Sequence, residues 1–171
     1  LSGFKDILFS DILDLDLSKY DLFICIDTGH PSRVSRNPNI KFPLSIPTLA
    51  LDHHQDNPGF GDQNILINQG HSACEIVYWF CKEHNVNISA DIAICLFVGI
   101  LSDTGGFRFE GVTSSNSFKA AGDLIEIGNI NFPKLMWDTF SKNNDLLRAY
   151  GWALFTAREI FNRKILITKI Y

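Results

Sequence analysis

The sequence is poor in cysteine and methionine, and these shortages exclude several classes of protein. Its 171 residues include four cysteines and one methionine. Cys25, Cys74, Cys81 and Cys95 lie in apolar segments without CxxC spacing, which favours buried reduced thiols over disulfides or a zinc site. No apolar run is long enough to span a bilayer and no signal peptide is visible. We therefore expect a cytoplasmic protein without a membrane partner.

The chain also lacks an excess of positive charge. The formal net charge of −4 gives no basic footprint of the kind that proteins use to bind long duplex nucleic acid. A negatively charged small substrate remains compatible with this charge, because a bound metal reverses the local field. The hydrophobic content of 46% and the charged content of 20% are those of an ordinary globular domain with a buried core.

Apolar segments of strand length dominate the first part of the chain, and helical periodicity dominates the rest. We predict strands over residues 21–26, 45–51 and 65–67, helices over 72–84, 114–127, 132–140 and 145–159 and another beginning at Ser89, and a last strand over 164–170. Ser72 and Glu75 have the spacing of a capping box. This order predicts an α/β fold with a parallel sheet flanked by helices.

The most informative residues are Asp52, His53 and His54, which follow a short apolar strand. Asp27 and Asp103 end two other apolar segments. Because open α/β sheets bind ligands at the carboxyl ends of their strands, we expect these side chains to meet at one edge of the sheet. Carboxylate oxygens combined with imidazole suit a divalent ion such as Mn²⁺, Mg²⁺ or Zn²⁺.

Small residues surround Asp103 in a segment that reads GILSDTGGFRF. Glycines there allow a ligand to approach the backbone, although a tight turn explains them equally well. Arg108 can grip a phosphate as a planar fork, whereas an isolated arginine is more often a surface charge. One of Phe107 and Phe109 can offer a face to a base, while at least one of them is expected in the core.

The motifs ICIDTGH, LDHHQDNPGFGDQN and GILSDTGGFRF resemble the second, third and fourth motifs of the DHH phosphoesterase superfamily, in order and in spacing. The Phe-Gly-Asp after DHH and the Asp-Thr-Gly-x-Phe-Arg-Phe run resemble the bacterial branch of oligoribonucleases and phosphoadenosine-phosphate phosphatases. The resemblance implies a phosphoesterase that hydrolyses short single-stranded RNA or 3′-phosphoadenosine 5′-phosphate (PAP), and it is compatible with a homodimer. Three alternatives stay open: a cyclic-dinucleotide phosphodiesterase, an exopolyphosphatase or pyrophosphatase, and a non-catalytic nucleotide-binding domain.

The resemblance also implies roles for individual residues. Asp27 would bridge two Mn²⁺ ions, with Mg²⁺ or Co²⁺ as alternatives, and His53 and Asp103 would complete the shell of one ion. Asp52 would orient an imidazole, and His54 would contact the substrate phosphate. With Arg108, these residues form the predicted site.

The chain departs from the family pattern at both ends. The first strand and first motif of the family are not recognisable before Asp27, and the chain stops where the family continues into a second domain. We therefore expect an incomplete DHH catalytic domain over residues 1–144, a connecting helix over 145–159 and the start of a substrate-binding domain over 160–171. On this interpretation the isolated chain binds metal weakly and turns over poorly.

Overall fold

Three short strands form a parallel sheet in the first half of the chain. A computed structural model describes residues 10–37, 39–42, 44–68, 71–141, 144–156, 158–160 and 165–167. The strands are β1 (Phe23–Ile26), β2 (Thr48–Asp52) and β3 (Gln63–Leu66), with β2 in the middle. All three strands predicted in this region are present, and the α/β fold class is confirmed.

The register of the sheet decides which residues lie at its carboxyl edge. Ile26 pairs with Leu51, and Asp52 pairs with Leu66. The backbone N–H of Asp27 donates to the carbonyl of Leu51 at 3.0 Å, which extends the ladder one residue beyond β1. The chain therefore brings Asp27 beside the end of β2, where Asp52, His53 and His54 follow one another.

Helices pack on the sheet and on each other. They are α1 (Ala73–Glu83), α2 (Ala90–Asp103) and α3 (Ser115–Gly128). Helix α1 contacts β2 and α2, and α2 packs closely on α3. The helical core comprises fully buried apolar side chains, among them Ile76, Tyr78, Phe97, Ile100, Leu101 and Leu124. A smaller core lies on the sheet around Cys25, Ala50 and Phe60.

Serines begin all three of these helices, as the sequence predicts. The hydroxyls of Ser72, Ser89 and Ser114 each accept a backbone N–H from the first turn. Only half of the capping box predicted at Ser72 forms: the Ser72 hydroxyl accepts the N–H of Glu75, but the Glu75 carboxylate is fully buried and binds His71 and Ser117 instead. The Glu75 side chain, which the local sequence pattern assigns to the helix cap, therefore belongs to a polar network between helices.

The chain divides into two compact units. The first spans Leu1–Ile130, and the second spans Asn131–Tyr171. It contains α4 (Phe132–Phe140), α5 (Asn144–Thr156) and an antiparallel pair of β4 (Arg158–Ile160) with β5 (Ile165–Ile167). The helix predicted to run to Glu159 is therefore too long: Glu159 pairs with Leu166 in this small sheet. The predicted domain boundaries at 144 and 160 stay predictions.

Two expectations drawn from composition can be compared with the fold. The four cysteines are free, as predicted. Only Cys25 is buried, whereas Cys74 and Cys81 are half-buried and Cys95 is exposed. Among the residues that the structure describes, no helix is both long enough and apolar enough to cross a bilayer.

Candidate active site

Asp27 occupies the first position after β1 in a left-handed backbone conformation. Its φ is 58°, a region that residues other than glycine rarely adopt, although Asp tolerates it better than most. Its side chain is 57% exposed. Strained backbone of this kind collects at functional sites, and here it carries an accessible carboxylate to the edge of the sheet.

Asp52 is buried at the end of β2, and both of its carboxylate oxygens accept hydrogen bonds. Oδ1 lies 2.7 Å from Nδ1 of His54, and Oδ2 accepts from the side-chain amide of Asn57 at 2.6 Å. The residue is only 1% exposed. Burial alone would raise the pKa of Asp52, but the bonds from His54 and Asn57 outweigh it and hold the pKa below its usual value. Asp52 is therefore a buried anion that orients its neighbours.

His54 is the imidazole that Asp52 orients. Since the Asp52 carboxylate only accepts, Nδ1 of His54 carries the proton and Nε2 is left for another partner. The hydrogen bond that His54 donates to Asp52 raises the pKa of His54, and burial opposes this effect. The charge of Asp27, whose Oδ1 lies 3.9 Å from Nδ1, raises the same pKa further.

His53 lies between two carboxylates from different elements. Its Nε2 is 3.4 Å from Oδ1 of Asp27 and 3.6 Å from Oδ2 of Asp103. Asp103 is the last residue of α2, where the helix dipole disfavours a negative charge. The sheet edge thus receives Asp103 from a helix, whereas Asp27 and His53 come from the ends of strands.

These side chains form a group that can hold a divalent ion. One ligand atom from each of Asp27, Asp52, His53 and His54 lies within 4.8 Å of all the others. Asp52 is the poorest ligand of the four, because its oxygens already accept from His54 and Asn57. Asp103 lies outside that group of four, but its Oδ2 is 3.6 Å from the same His53 nitrogen that Asp27 approaches. Asp27, His53 and Asp103 together offer two carboxylates and one imidazole, a donor set that suits a divalent ion.

A cleft of about 400 Å³ opens beside this group. It is lined by Asp27, Ser72, Ala73, Cys74, Gly99, Ser102, Asp103 and Phe109, and we call it the carboxylate cleft. The charges of Asp27 and Asp103 make the electrostatic field in the cleft negative. The pKa of the Cys74 thiol is raised, first by burial and then by these two charges. A bound cation would relieve the repulsion between these carboxylates.

The segment after Asp103 folds around Thr104, which is buried. The carbonyl of Thr104 accepts the N–H groups of Arg108 and Phe109, and its hydroxyl accepts that of Phe107 at 3.0 Å. Arg108 is exposed, and its Nε donates to the carbonyl of Gly105 at 2.6 Å. The carboxylate cleft does not include Arg108 among its lining residues, so its contact with phosphate stays a prediction.

Sequence reasoning missed one residue of this site and misread another. Asn57 looked like part of a turn, yet its amide holds the buried Asp52 and also donates to the carbonyl of Thr28 at 3.1 Å. Cys74 lines the carboxylate cleft, although the sequence suggests only a buried thiol.

The sequence of this chain is similar to those of bacterial proteins named NrnA. No family model matches the chain. The "probable bifunctional oligoribonuclease and PAP phosphatase NrnA" of Streptococcus mutans is 31% identical over 155 residues, which is 85% of this chain and 48% of that protein. The "bifunctional oligoribonuclease and PAP phosphatase NrnA" of Bacillus subtilis is 28% identical over 119 residues, 68% of this chain and 37% of that protein. This chain is a homologue of the NrnA proteins. The family resemblance predicted from the three motifs is confirmed.

A solved structure supports the fold. An exopolyphosphatase-related protein from Bacteroides fragilis superposes with a TM-score of 0.78 at 21% identity, over 94% of this chain and 48% of that protein. At this identity the likeness concerns the fold alone. The chain spans about half the length or less of the NrnA proteins that it matches.

Proposed function

We propose that the complete protein is a metal-dependent phosphoesterase that hydrolyses short oligoribonucleotides, PAP or both. One observation carries the proposal: carboxylate oxygens of Asp27 and Asp103, which come from different elements, both lie within 3.6 Å of Nε2 of His53 at the edge of a cleft. The activities for which the NrnA relatives are named support the choice of substrate. The negative cleft agrees with a site that needs a cation before a phosphate can enter.

The ligand set favours Mn²⁺, with Mg²⁺ or Co²⁺ as alternatives, because carboxylates and a single imidazole are ligands for hard divalent ions. Asp27, His53 and Asp103 would hold one ion, and the exposed Asp27 would be shared with a second. When bound, such ions lower the pKa of a water molecule and neutralise the charge that develops on the phosphoryl oxygens.

The remaining residues of the site would position the substrate. Asp52 fixes the His54 ring through Nδ1, so that Nε2, when it carries a proton, is the donor left for a phosphate oxygen. Arg108 would contribute a second phosphate contact from its terminal nitrogens, while its Nε anchors the guanidinium on the carbonyl of Gly105.

A substrate panel tests this proposal. The complete protein with Mn²⁺ would be given a labelled diribonucleotide, PAP, cyclic di-AMP and pyrophosphate in parallel. We expect the highest kcat/KM for the diribonucleotide or PAP. A clear preference for pyrophosphate would overturn the substrate class, and a preference for cyclic di-AMP would assign the protein to the cyclic-dinucleotide phosphodiesterases. Binding of these compounds without hydrolysis would support a non-catalytic nucleotide-binding domain.

A further inference from the structure

The carboxylate cleft has one aromatic wall among the residues that the structure describes. Phe109 lines the cleft together with Asp27 and Asp103, and 55% of its surface is exposed. Large apolar side chains that remain open to solvent beside a polar site offer contact area to a ligand.

Phe109 is held in this position by the backbone around it. Its N–H donates to the carbonyl of Thr104 at 3.0 Å, and Thr104 itself is fully buried. The ring covers Gly105 so closely that a Cβ on that glycine would lie 2.5 Å from Cζ of Phe109. Gly105 also has a φ of 58°, so both its conformation and its lack of a side chain let the ring lie there. The aromatic wall is therefore built into the turn.

Phe107 is committed to a different contact. Its ring stacks on that of Phe118 on α3, with 4.8 Å between centroids and 24° between planes. Of the two phenylalanines that flank Arg108, Phe107 thus has a packing role, and only Phe109 reaches the cleft.

We propose that Phe109 is the surface on which a nucleobase of the substrate stacks. The base would lie next to the phosphate that is bound at the metal site of Asp27, His53 and Asp103. This inference rests on the proposed function and names the residue that recognises the base. Stacking on an aromatic face tolerates any base, because every base has a π-face. Phe109 would therefore distinguish nucleotides from inorganic phosphates without selecting a base sequence.

The test compares two substrates that differ only in the base. One is a diribonucleotide, and the other is the same phosphodiester between two abasic riboses. In the complete protein with Mn²⁺, Phe109→Leu should raise KM for the diribonucleotide about tenfold, the effect of one lost stacking contact. Its kinetics on the abasic compound should stay unchanged. Phe109→Trp should restore the low KM, because indole keeps the aromatic face.

Phe118→Leu is the matched control, since Phe118 is 57% exposed but lies outside the cleft. It should leave KM for both substrates unchanged. An equal rise of KM for both substrates in Phe109→Leu would overturn the stacking role. It would leave the proposed phosphoesterase activity intact.

A binding measurement separates this inference from the proposed function. The probe is 2-aminopurine riboside 3′,5′-bisphosphate, whose fluorescence falls when its base stacks on an aromatic ring. If wild type hydrolysed none of the nucleotides, the proposed function would fail. Quenching by wild type but not by Phe109→Leu would still support stacking, and equal quenching or none would overturn it.

Discussion

The two adjacent histidines have different neighbours, and the difference decides what each can do. Nε2 of His53 faces the carboxylates of Asp27 and Asp103, whereas Nδ1 of His54 is bonded to the buried Asp52. One backbone step therefore separates a candidate metal ligand from an imidazole oriented by a carboxylate. Such carboxylate–imidazole pairs fix both the tautomer and the ring orientation.

Alanine variants of the two histidines should separate these roles. In the complete protein, His53→Ala should raise the Mn²⁺ concentration needed for half-maximal activity, because it removes a ligand. His54→Ala should keep the wild-type metal dependence and lower kcat or raise KM, because it removes a substrate contact. Metal titrations of activity measure both effects. Identical titration curves for the two variants would count against the assignment.

Asn57 is the residue of the site that local sequence conceals. Its amide binds Asp52 and the carbonyl of Thr28, while its Oδ1 accepts from the N–H of Gly59. The last bond is an ordinary turn interaction and explains why the segment reads as a turn. The first two depend on the loop after β1 lying beside the loop after β2, which only the assembled sheet provides.

Replacing Asn57 should cost stability. Asn57→Ala leaves one oxygen of a buried carboxylate without its donor, and such a loss destabilises by about 1–3 kcal/mol. Urea unfolding would measure the change. Asn116→Ala, on the exposed surface of α3, is the control and should stay within about 0.5 kcal/mol of wild type. Equal stability of the two variants would mean that Asn57 contributes nothing to holding Asp52.

At the scale of elements, patterns confined to one segment were predictable and pairings between segments were not. Short apolar runs predict β1, which ends before Asp27, and β2, which ends before His53. Helix α4 has the predicted bounds of Phe132–Phe140. The end of α5 was misplaced because Glu159 pairs with Leu166 in the antiparallel strands β4 and β5. Tertiary pairing overrides helix propensity in such cases.

Helix packing explains why two glycines inside helices should respond oppositely to the same change. A Cβ on Gly99 of α2 would lie 2.1 Å from the Sγ of Cys74 on α1, whereas a Cβ on Gly122 of α3 would meet nothing within 4 Å. Gly99 is therefore required by the close approach of two helices, and Gly122 is not.

We expect Gly122→Ala to stabilise the protein by about 0.5–1 kcal/mol, since alanine restricts the unfolded chain and favours helix. Gly99→Ala should destabilise it by about 1–3 kcal/mol, because Cys74 and α1 must shift. Thermal unfolding of both variants gives the comparison, and a stabilised Gly99→Ala would show that the two helices are less tightly packed than the structure indicates.

At the scale of the whole molecule, the net negative charge is modest, but two of the carboxylates line the same cleft. Asp27 and Asp103 lie on one cleft, with His53 between them and the carboxyl end of α2 adding to the negative field. The sequence predicted that these residues would meet, because carboxyl ends of parallel strands share one edge. It left open whether a strand or a helix would deliver Asp103, which ends α2.

Such a site couples metal binding to the stability of the first unit. At a Mn²⁺ concentration one hundred times its Kd, a site present only in the folded state stabilises that state by about 2.7 kcal/mol. The complete protein should therefore unfold at a higher temperature with Mn²⁺ than with a chelator. Hydrogen exchange of the amides in β1 and β2 should slow in parallel, and this localises the effect to the sheet that carries the site.

Asp103→Asn should abolish most of this stabilisation together with hydrolysis, since a neutral amide is a poor ligand for a hard ion. Its fold without metal should match wild type, because Asp103 is exposed. Glu126→Gln is the control: it neutralises an exposed carboxylate on α3, outside the carboxylate cleft, and should keep the full Mn²⁺ response. If Asp103→Asn responded to Mn²⁺ as strongly as Glu126→Gln, the ion would bind without Asp103, and the ligand set proposed for the cleft would be wrong.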